Sequence, residues 1–186
     1  MRDGDRFMLH RDKAVLVVVD IQERLMAAMD KREKLYRNSI TMIEAAKVLG
    51  LPIVVTEQYP KGLGPTVSEI RGVLPSYSPI EKITFGCCGE ERFMQEMKSV
   101  GRGQVILIGS ETHVCVLQTC LGLLQEGYVV HTVRDAVCSR TKENFLTGLE
   151  IMREAGAVIT SVEAALFQLL YKAGSEEFKT ISRLVK

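Results

Sequence analysis

This 186-residue sequence has no tryptophan, no excess of either charge and no long apolar run. Its 24 Lys and Arg residues nearly balance 23 Asp and Glu residues, which gives a formal net charge of +1. Such a chain lacks the basic excess typical of proteins that bind nucleic acids or anionic membrane surfaces. The longest apolar run, Ala14–Val19, is far shorter than the roughly 18 residues that a membrane span needs. We therefore expect no nucleic-acid partner and no membrane association.

The sequence also lacks a disulfide pattern and a secretory signal. Its five cysteines are an odd number at irregular spacing, with no C-x-x-C. The N-terminal segment has no apolar core of the kind that a signal peptide carries. These features predict a cytoplasmic location, where thiols stay reduced and one reactive cysteine can be used. The three histidines are dispersed without metal-ligand spacing, so we expect no metal and no cofactor.

Buried-strand patterns alternate with helical patterns along the chain. Residues 13–20 and 104–108 are continuous apolar runs, typical of strands that helices cover on both faces. Residues 31–49 carry apolar side chains at helical spacing and end before a glycine. Further strands are predicted at residues 52–56, 80–83, 128–133 and 157–160. The alternation predicts one domain over residues 1–186, with a three-layer α/β fold around a central, mainly parallel sheet of about six strands.

Parallel sheets place chemistry just past the carboxyl ends of their strands, and this rule selects Asp20, Lys82 and Cys115. Asp20 ends the most apolar strand, where an unpaired carboxylate is costly, although it could instead cap the next helix. Lys82 is an ordinary surface lysine unless it lies near Asp20. Cys115 falls near the start of a predicted helix, whose positive end lowers a thiol pKa. The alternative for Cys115 is a small buried apolar residue.

Four segments, in this order and spacing, resemble the isochorismatase-like hydrolases, a family that includes nicotinamidases and other cysteine amidohydrolases. They are LVVVDIQ at residues 16–22, EKITF at 81–85, GSETHVCV at 109–116 and RDAVCS at 134–139. The resemblance covers about residues 10–170 and implies a Rossmann-like fold. The loop at residues 56–66 further resembles the isochorismatase-domain-containing subgroup.

The resemblance implies a role for each strand-end residue. Cys115 would be the nucleophile, Asp20 the general base, and Lys82 the cation that holds the ionised pair together. The backbone amides of Glu111 and Cys115 would form an oxyanion hole, with a non-proline cis peptide joining Ser110 to Glu111.

Two departures from family patterns bear on the reaction. Nicotinamidases carry a metal site of one acid and two histidines after the second strand, and residues 57–61 contain no histidine. Isochorismatases proper lack the cysteine and cleave a vinyl ether by acid catalysis. The sequence therefore predicts a hydrolase that needs no metal and uses Cys115.

The predicted function is cysteine-dependent hydrolysis of a small-molecule amide, imide or related C–N bond. The residues expected to bind the substrate are Gln22, Leu25, Glu57, Tyr59, Phe85, His113 and Val114. The alternative function is a catalytically weak scaffold or binding protein that retains the hydrolase fold. We also expect a homo-oligomer, and the apolar stretch at residues 162–171 could serve either its interface or the domain's own core.

Overall fold

The computed structural model describes residues 4–186 and shows a three-layer α/β fold. Residues 1–3, which belong to the predicted domain, lie outside the described residues. The strands are β1 (Ala14–Val19), β2 (Ile53–Gln58), β3 (Ile80–Lys82), β4 (Gln104–Ser110), β5 (Val129–Cys138) and β6 (Val158–Thr160). They form one sheet in the order β3-β2-β1-β4-β5-β6, and all neighbouring pairs are parallel. The predicted sheet is confirmed.

Helices cover both faces of this sheet. The α-helices are α1 (Glu23–Ala27), α2 (Arg32–Leu49), α3 (Pro60–Leu63), α4 (Ser68–Arg71), α5 (Glu91–Val100), α6 (Leu117–Gln125), α7 (Lys142–Glu154), α8 (Val162–Leu170) and α9 (Glu176–Leu184). Shorter helical turns lie at Asp5–Phe7, Cys87–Gly89 and Thr112–Val116, the last of them π-helical. Between residues 4 and 186, no helix combines the length and apolar character that crossing a bilayer requires.

The apolar residues of β1 divide the core into two layers. Leu16 and Val18 point into the cluster formed with α2 and α8, and Val17 and Val19 point into the cluster with α5, α6 and α7. Alternate residues of one strand reach opposite faces, so the continuous run is buried on both sides. α8 contributes four buried residues to the first cluster, so most of the apolar stretch that includes it belongs to the domain's own core.

Three strands are longer than the sequence predicts, and one of them is β4, which continues through Gly109 and Ser110. β2 continues through Glu57 and Gln58, and β5 continues through Arg134 and Asp135 to Cys138. These polar residues resemble loop residues in sequence, but β3 and β4 extend the pairing past them. A register shift between Leu107 and Gly109 of β4 accommodates the extra length of β5.

The carboxyl ends of four strands meet at one edge of the sheet. Val19 is in register with Thr56 of β2 and with Gly109 of β4, and Gln58 is in register with Lys82 of β3. Gly109 permits the close approach of β4, because a Cβ there would lie 2.2 Å from the Val19 carbonyl oxygen. This edge holds the candidate site.

Candidate active site

Asp20 and Lys82 form a fully buried ion pair at this edge. Lys82 Nζ lies 2.7 Å from Asp20 Oδ2, and neither side chain is exposed. The ammonium also donates to Gln58 Oε1 at 2.8 Å and to the Phe85 carbonyl at 2.9 Å. A buried charge is tolerated only when it is paired and hydrogen-bonded, and these contacts meet that need. The structure thus brings together two of the three predicted residues.

The second oxygen of Asp20 is also occupied. Thr56 Oγ1 donates to Asp20 Oδ1 at 2.8 Å, and the Ser110 hydroxyl donates to the Asp20 carbonyl. Asp20 has a φ of 50°, a conformation that favours glycine and that its neighbours must hold in place. Gln22, rather than Asp20, is the residue that precedes helix α1, so the helix-cap alternative for Asp20 is wrong.

Cys115 brings its thiol to the same carboxylate. It lies in the π-helical turn between β4 and α6, and the residue is 4% exposed. Burial raises the pKa of this thiol, the Asp20 charge raises it further, and Lys82 opposes them. The expected lowering of the Cys115 pKa is therefore wrong. Burial and the like-signed Asp20 charge outweigh the Lys82 cation, so the resting thiol keeps its proton.

Glu111 begins the turn that carries Cys115. Its φ is 56°, and its carboxylate lies 2.8 Å from Arg140 Nε and 3.4 Å from His113 Nδ1. Every peptide bond of the described residues is trans, so the expected cis bond from Ser110 to Glu111 is absent. The chain instead turns through two residues at positive φ, Gly109 at 144° and Glu111. The Arg140 contact joins the ends of β4 and β5 and was not predicted.

Two of the predicted substrate-binding residues are engaged within the protein. Gln22 bonds to the backbone of Gln58 in both directions, with its Oε1 2.7 Å from the Gln58 nitrogen and its Nε2 2.9 Å from the Gln58 carbonyl. Glu57 Oε1 accepts from the backbone and the hydroxyl of Thr66 at 2.6 and 2.7 Å, and also from the Tyr77 hydroxyl. Both side chains therefore hold the loop after β2 in place.

The other predicted substrate contacts are more accessible. Tyr59 and Phe85 are 50% and 54% exposed, and Leu25, His113 and Val114 are half-buried. Tyr59 lies next to the Lys82 strand end, since its backbone nitrogen donates to the Lys82 carbonyl at 2.9 Å. A substrate role for all seven residues remains a prediction.

A second thiol, Cys87, lies beside the buried pair. Its sulfur accepts a hydrogen bond from Thr119 Oγ1 at 3.1 Å. It also lies 3.7 Å from Thr56 Oγ1, the hydroxyl that donates to Asp20 Oδ1. Burial raises its pKa to about 12. Its place on a glycine-flanked loop after Lys82 was the only sequence signal for this proximity.

The residues after β2 do not fit the acid-and-two-histidine metal site of nicotinamidases. Glu57, near the end of β2, is the acid of residues 57–61, its carboxylate accepts from Thr66 and Tyr77, and no histidine accompanies it in that segment. Throughout residues 4–186, no cluster of three or more His, Cys, Asp or Glu side chains is arranged to hold a metal ion.

Known proteins with the same architecture were found by sequence and by structure. The Phytophthora sojae protein named secreted isochorismatase effector Isc1 is 46% identical over 179 residues, which are 93% of this chain and 84% of that protein. MAR1 ribonuclease from Caenorhabditis elegans superimposes with a TM-score of 0.90 at 36% identity, covering 96% of this chain and 92% of that one. Since the first relative is named as secreted, the cytoplasmic location of this chain stays a prediction.

Two YcaC proteins share the fold at lower identity. The Pseudomonas aeruginosa structure, which contains hexane-2,5-diol and covalent acrylamide, gives a TM-score of 0.88 at 25% identity over 94% of this chain and 89% of that one. The Escherichia coli protein, described as an octameric hydrolase of unknown specificity, gives 0.89 at 24% over 95% and 90%.

The family model named Isochorismatase domain matches residues 14–164. That match begins at the first residue of β1, passes β6, and includes Asp20, Lys82, Cys115 and the Glu111 turn. With a family model that matches most of the chain, relatives above 30% identity and a matching fold, this chain belongs to the isochorismatase family and has its hydrolase fold.

Proposed function

We propose that this protein is a cysteine hydrolase, needing no metal, that cleaves a small amide, imide or related C–N bond through a thioester on Cys115. The observation that carries the proposal is the buried Asp20 carboxylate, which Lys82 holds at 2.7 Å and which lies close enough to the Cys115 thiol for its charge to raise the thiol pKa. A nucleophile placed beside an oriented base is the usual arrangement for covalent catalysis.

In the first half of the reaction, the Cys115 sulfur attacks the carbonyl carbon while its proton passes to Asp20. The thiol is protonated at rest, so proton transfer accompanies attack and no standing thiolate is needed. The C–N bond then breaks, the leaving nitrogen takes the proton from Asp20, and an acyl thioester remains on Cys115. Lys82 keeps its positive charge throughout and holds Asp20 in position.

In the second half, water attacks the thioester carbon and gives a proton to Asp20. The C–S bond breaks, the sulfur of Cys115 recovers a proton from Asp20, and the carboxylic acid leaves. In both halves the amides of Glu111 and Cys115 are proposed to donate to the oxyanion, which in other enzymes lowers the barrier by several kcal/mol. The exposed rings of Tyr59 and Phe85 offer apolar contacts at the rim of the site.

The comparison with YcaC supports a reactive nucleophile in this fold rather than a particular substrate. A protein of this fold from Pseudomonas aeruginosa carries covalent acrylamide, an electrophile that alkylates nucleophiles such as thiols through its alkene. A buried thiol beside a carboxylate is the group of this chain suited to the same kind of ligand.

The experiment is turnover of a panel of small amides and imides by the wild type, Cys115→Ala and the control Cys88→Ala. We expect Cys115→Ala to lose at least about a thousandfold in rate, and Cys88→Ala, which removes a more accessible thiol, to keep its activity. Acid-quenched wild type should carry an acyl adduct on Cys115 that hydroxylamine removes. Wild-type turnover in Cys115→Ala would refute the proposal. RNA belongs in the panel because the Caenorhabditis elegans relative is named a ribonuclease, and we expect no cleavage of it.

The alternative, a scaffold or binding protein with little hydrolytic activity, is favoured by the burial and raised pKa of Cys115. Iodoacetamide labelling across pH, with mass spectrometry to identify the labelled cysteine, separates the two functions. Labelling of Cys115 that is faster than that of Cys88 and slowed by Asp20→Asn supports the hydrolase. Slow and unselective labelling, together with no acyl adduct on the acid-quenched wild type, supports the alternative.

A homo-oligomer also remains part of the proposal. The Escherichia coli YcaC protein is octameric, and exposed Tyr171 and Phe167 leave an apolar surface at the end of α8. Light scattering of the purified chain gives its assembly state directly.

A further inference from the structure

A cavity of about 510 Å³ opens at the carboxyl end of β5, and none of the three proposed catalytic residues lines it. Its walls come from the start of α2, the end of β5 and the first turns of α7. Ser139 lies between this cavity and the candidate active site, since it lines the cavity and its hydroxyl is 3.1 Å from His113 Nδ1. The volume is within the usual range for a small-molecule pocket.

One part of the cavity wall is apolar. Leu35 and Val137 are buried at its base, and Phe145 and Leu146 on α7 are more accessible. Leu146 is 40% exposed, as is Ile151 further along the same helix, and Leu146 is the one that lines the cavity. These four side chains offer contact to a flat or compact apolar body.

The rest of the wall is rich in unpaired positive charge. Lys31, Lys34, Arg134 and Lys142 all line the cavity and are exposed. Within the described part of the chain, none of them has a carboxylate within 4.0 Å, whereas Arg11, Lys47 and other cations do. Four like charges around one cavity repel one another unless an anion joins them.

The acidic residues of the cavity offset this charge only in part. Asp30 and Asp135 line it, so its formal charge is four minus two, or +2. Asp135 is already engaged, because its Oδ1 accepts from the backbone nitrogen of Val162 at 2.9 Å at the start of α8. One oxygen of this carboxylate therefore stabilises the start of α8 and is less available to neutralise the neighbouring cations.

We propose that this cavity binds a small organic anion, with its apolar body against Phe145 and Leu146 and its carboxylate between Lys34 and Arg134. Guanidinium and ammonium groups bind carboxylates by charge-assisted hydrogen bonds, and the apolar wall adds contact that a simple inorganic anion cannot make. This site is separate from the proposed thioester chemistry and does not depend on it.

The test is a titration of the full chain with benzoate, in which binding is monitored by the backbone amide chemical shifts in NMR spectra. Benzyl alcohol is the neutral control, because it has nearly the same size as benzoate but carries no charge. Neither compound contains a C–N bond, so neither can be a substrate of the proposed hydrolase. The double variant Lys34→Gln/Arg134→Gln removes two cations of the cavity. The matched control is Arg92→Gln/Lys98→Gln, which removes two exposed cations of α5 that lie outside the cavity.

We expect saturable benzoate shifts in residues 137–146, with binding about tenfold weaker or more for the cavity variant and for benzyl alcohol. The control variant should bind benzoate within about twofold of the wild type, and added salt should weaken binding. The proposal is overturned if benzoate causes no saturable shift, if the control loses as much affinity as the cavity variant, or if the shifts are confined to the Cys115 turn.

Discussion

Lys82 Nζ lies 2.7 Å from Asp20 Oδ2, and both side chains are completely buried. Removing one partner from such a pair leaves an uncompensated charge in the interior, which typically costs about 3–5 kcal/mol. We therefore expect Lys82→Met to lower the free energy of unfolding by about that amount, measured by urea denaturation. The double variant Asp20→Asn/Lys82→Met should recover part of the loss, because no charge is then left unpaired. Equal stability of Lys82→Met and the wild type would contradict the buried pair.

Arg140 and Glu111 provide a prediction that separates stability from activity. Their ion pair is 2.8 Å long, and the Arg140 side chain is 55% exposed. Exposed pairs of this kind contribute at most about 1 kcal/mol, so Arg140→Ala should change the free energy of unfolding little. If Arg140 positions the Glu111 turn, acylation of Cys115 should nonetheless slow by about tenfold, with kcat affected more than KM.

The control for Arg140 is Arg92→Ala, an exposed α5 arginine far along the chain from the turn. It should leave both stability and acylation unchanged. Arg140→Lys keeps the charge but not the guanidinium geometry, so partial activity is expected from it. If Cys115 of the Arg140→Ala variant is acylated at the wild-type rate, the Arg140–Glu111 ion pair is not needed to position the Glu111 turn.

The sequence was sufficient to find the sheet and the edge where the site lies. Asp20 and Cys115 follow the two most apolar runs, and such runs are buried strands whose ends meet when neighbours are parallel. Lys82 follows a weaker run, and its burial beside Asp20 confirms the proximity on which its interpretation depended.

Other features of the site depend on contacts that leave no pattern in sequence. Arg140 reaches Glu111 only because β4 and β5 are adjacent, and isolated charged residues have no periodicity. The raised pKa of the Cys115 thiol follows from tertiary burial, whereas the sequence displayed only the nearby helix start. Glu57 and Asp135 resembled loop residues because the partners that satisfy them, Thr66 and Val162, are distant in the chain.

His131 predicts how stability depends on pH. The residue is completely buried in β5, and neither ring nitrogen has a hydrogen-bond partner in the described residues. Burial lowers its pKa from an ordinary value of 6.5 to about 4. The unfolded chain therefore binds a proton below about pH 6.5 while the native ring stays neutral. The free energy of unfolding should fall between pH 6.5 and about 4, by up to about 3 kcal/mol, and this contribution should be constant below pH 4.

The measurement is urea denaturation of the wild type and His131→Leu at several pH values. Leucine has a similar volume and no polar atom, so the variant should be at least as stable at neutral pH and should lose this part of the acid dependence. His10→Leu is the control, because His10 is exposed and its removal leaves the buried ring in place. Parallel pH curves for His131→Leu and the wild type would contradict the prediction.

Gly109 gives the strictest steric test of how β1 and β4 form the site. Its φ is 144°, and a Cβ there would lie 2.2 Å from the Val19 carbonyl oxygen, a backbone atom that no side-chain rotation can move away. Gly109→Ala should therefore separate the two strands next to Asp20 and destabilise the protein by at least about 4 kcal/mol, or prevent soluble expression. Gly103→Ala is the matched control, because a Cβ there meets nothing within 4 Å. If both variants unfold at the wild-type urea concentration, the close approach of Val19 and Gly109 cannot be what fixes Asp20 beside the Cys115 turn.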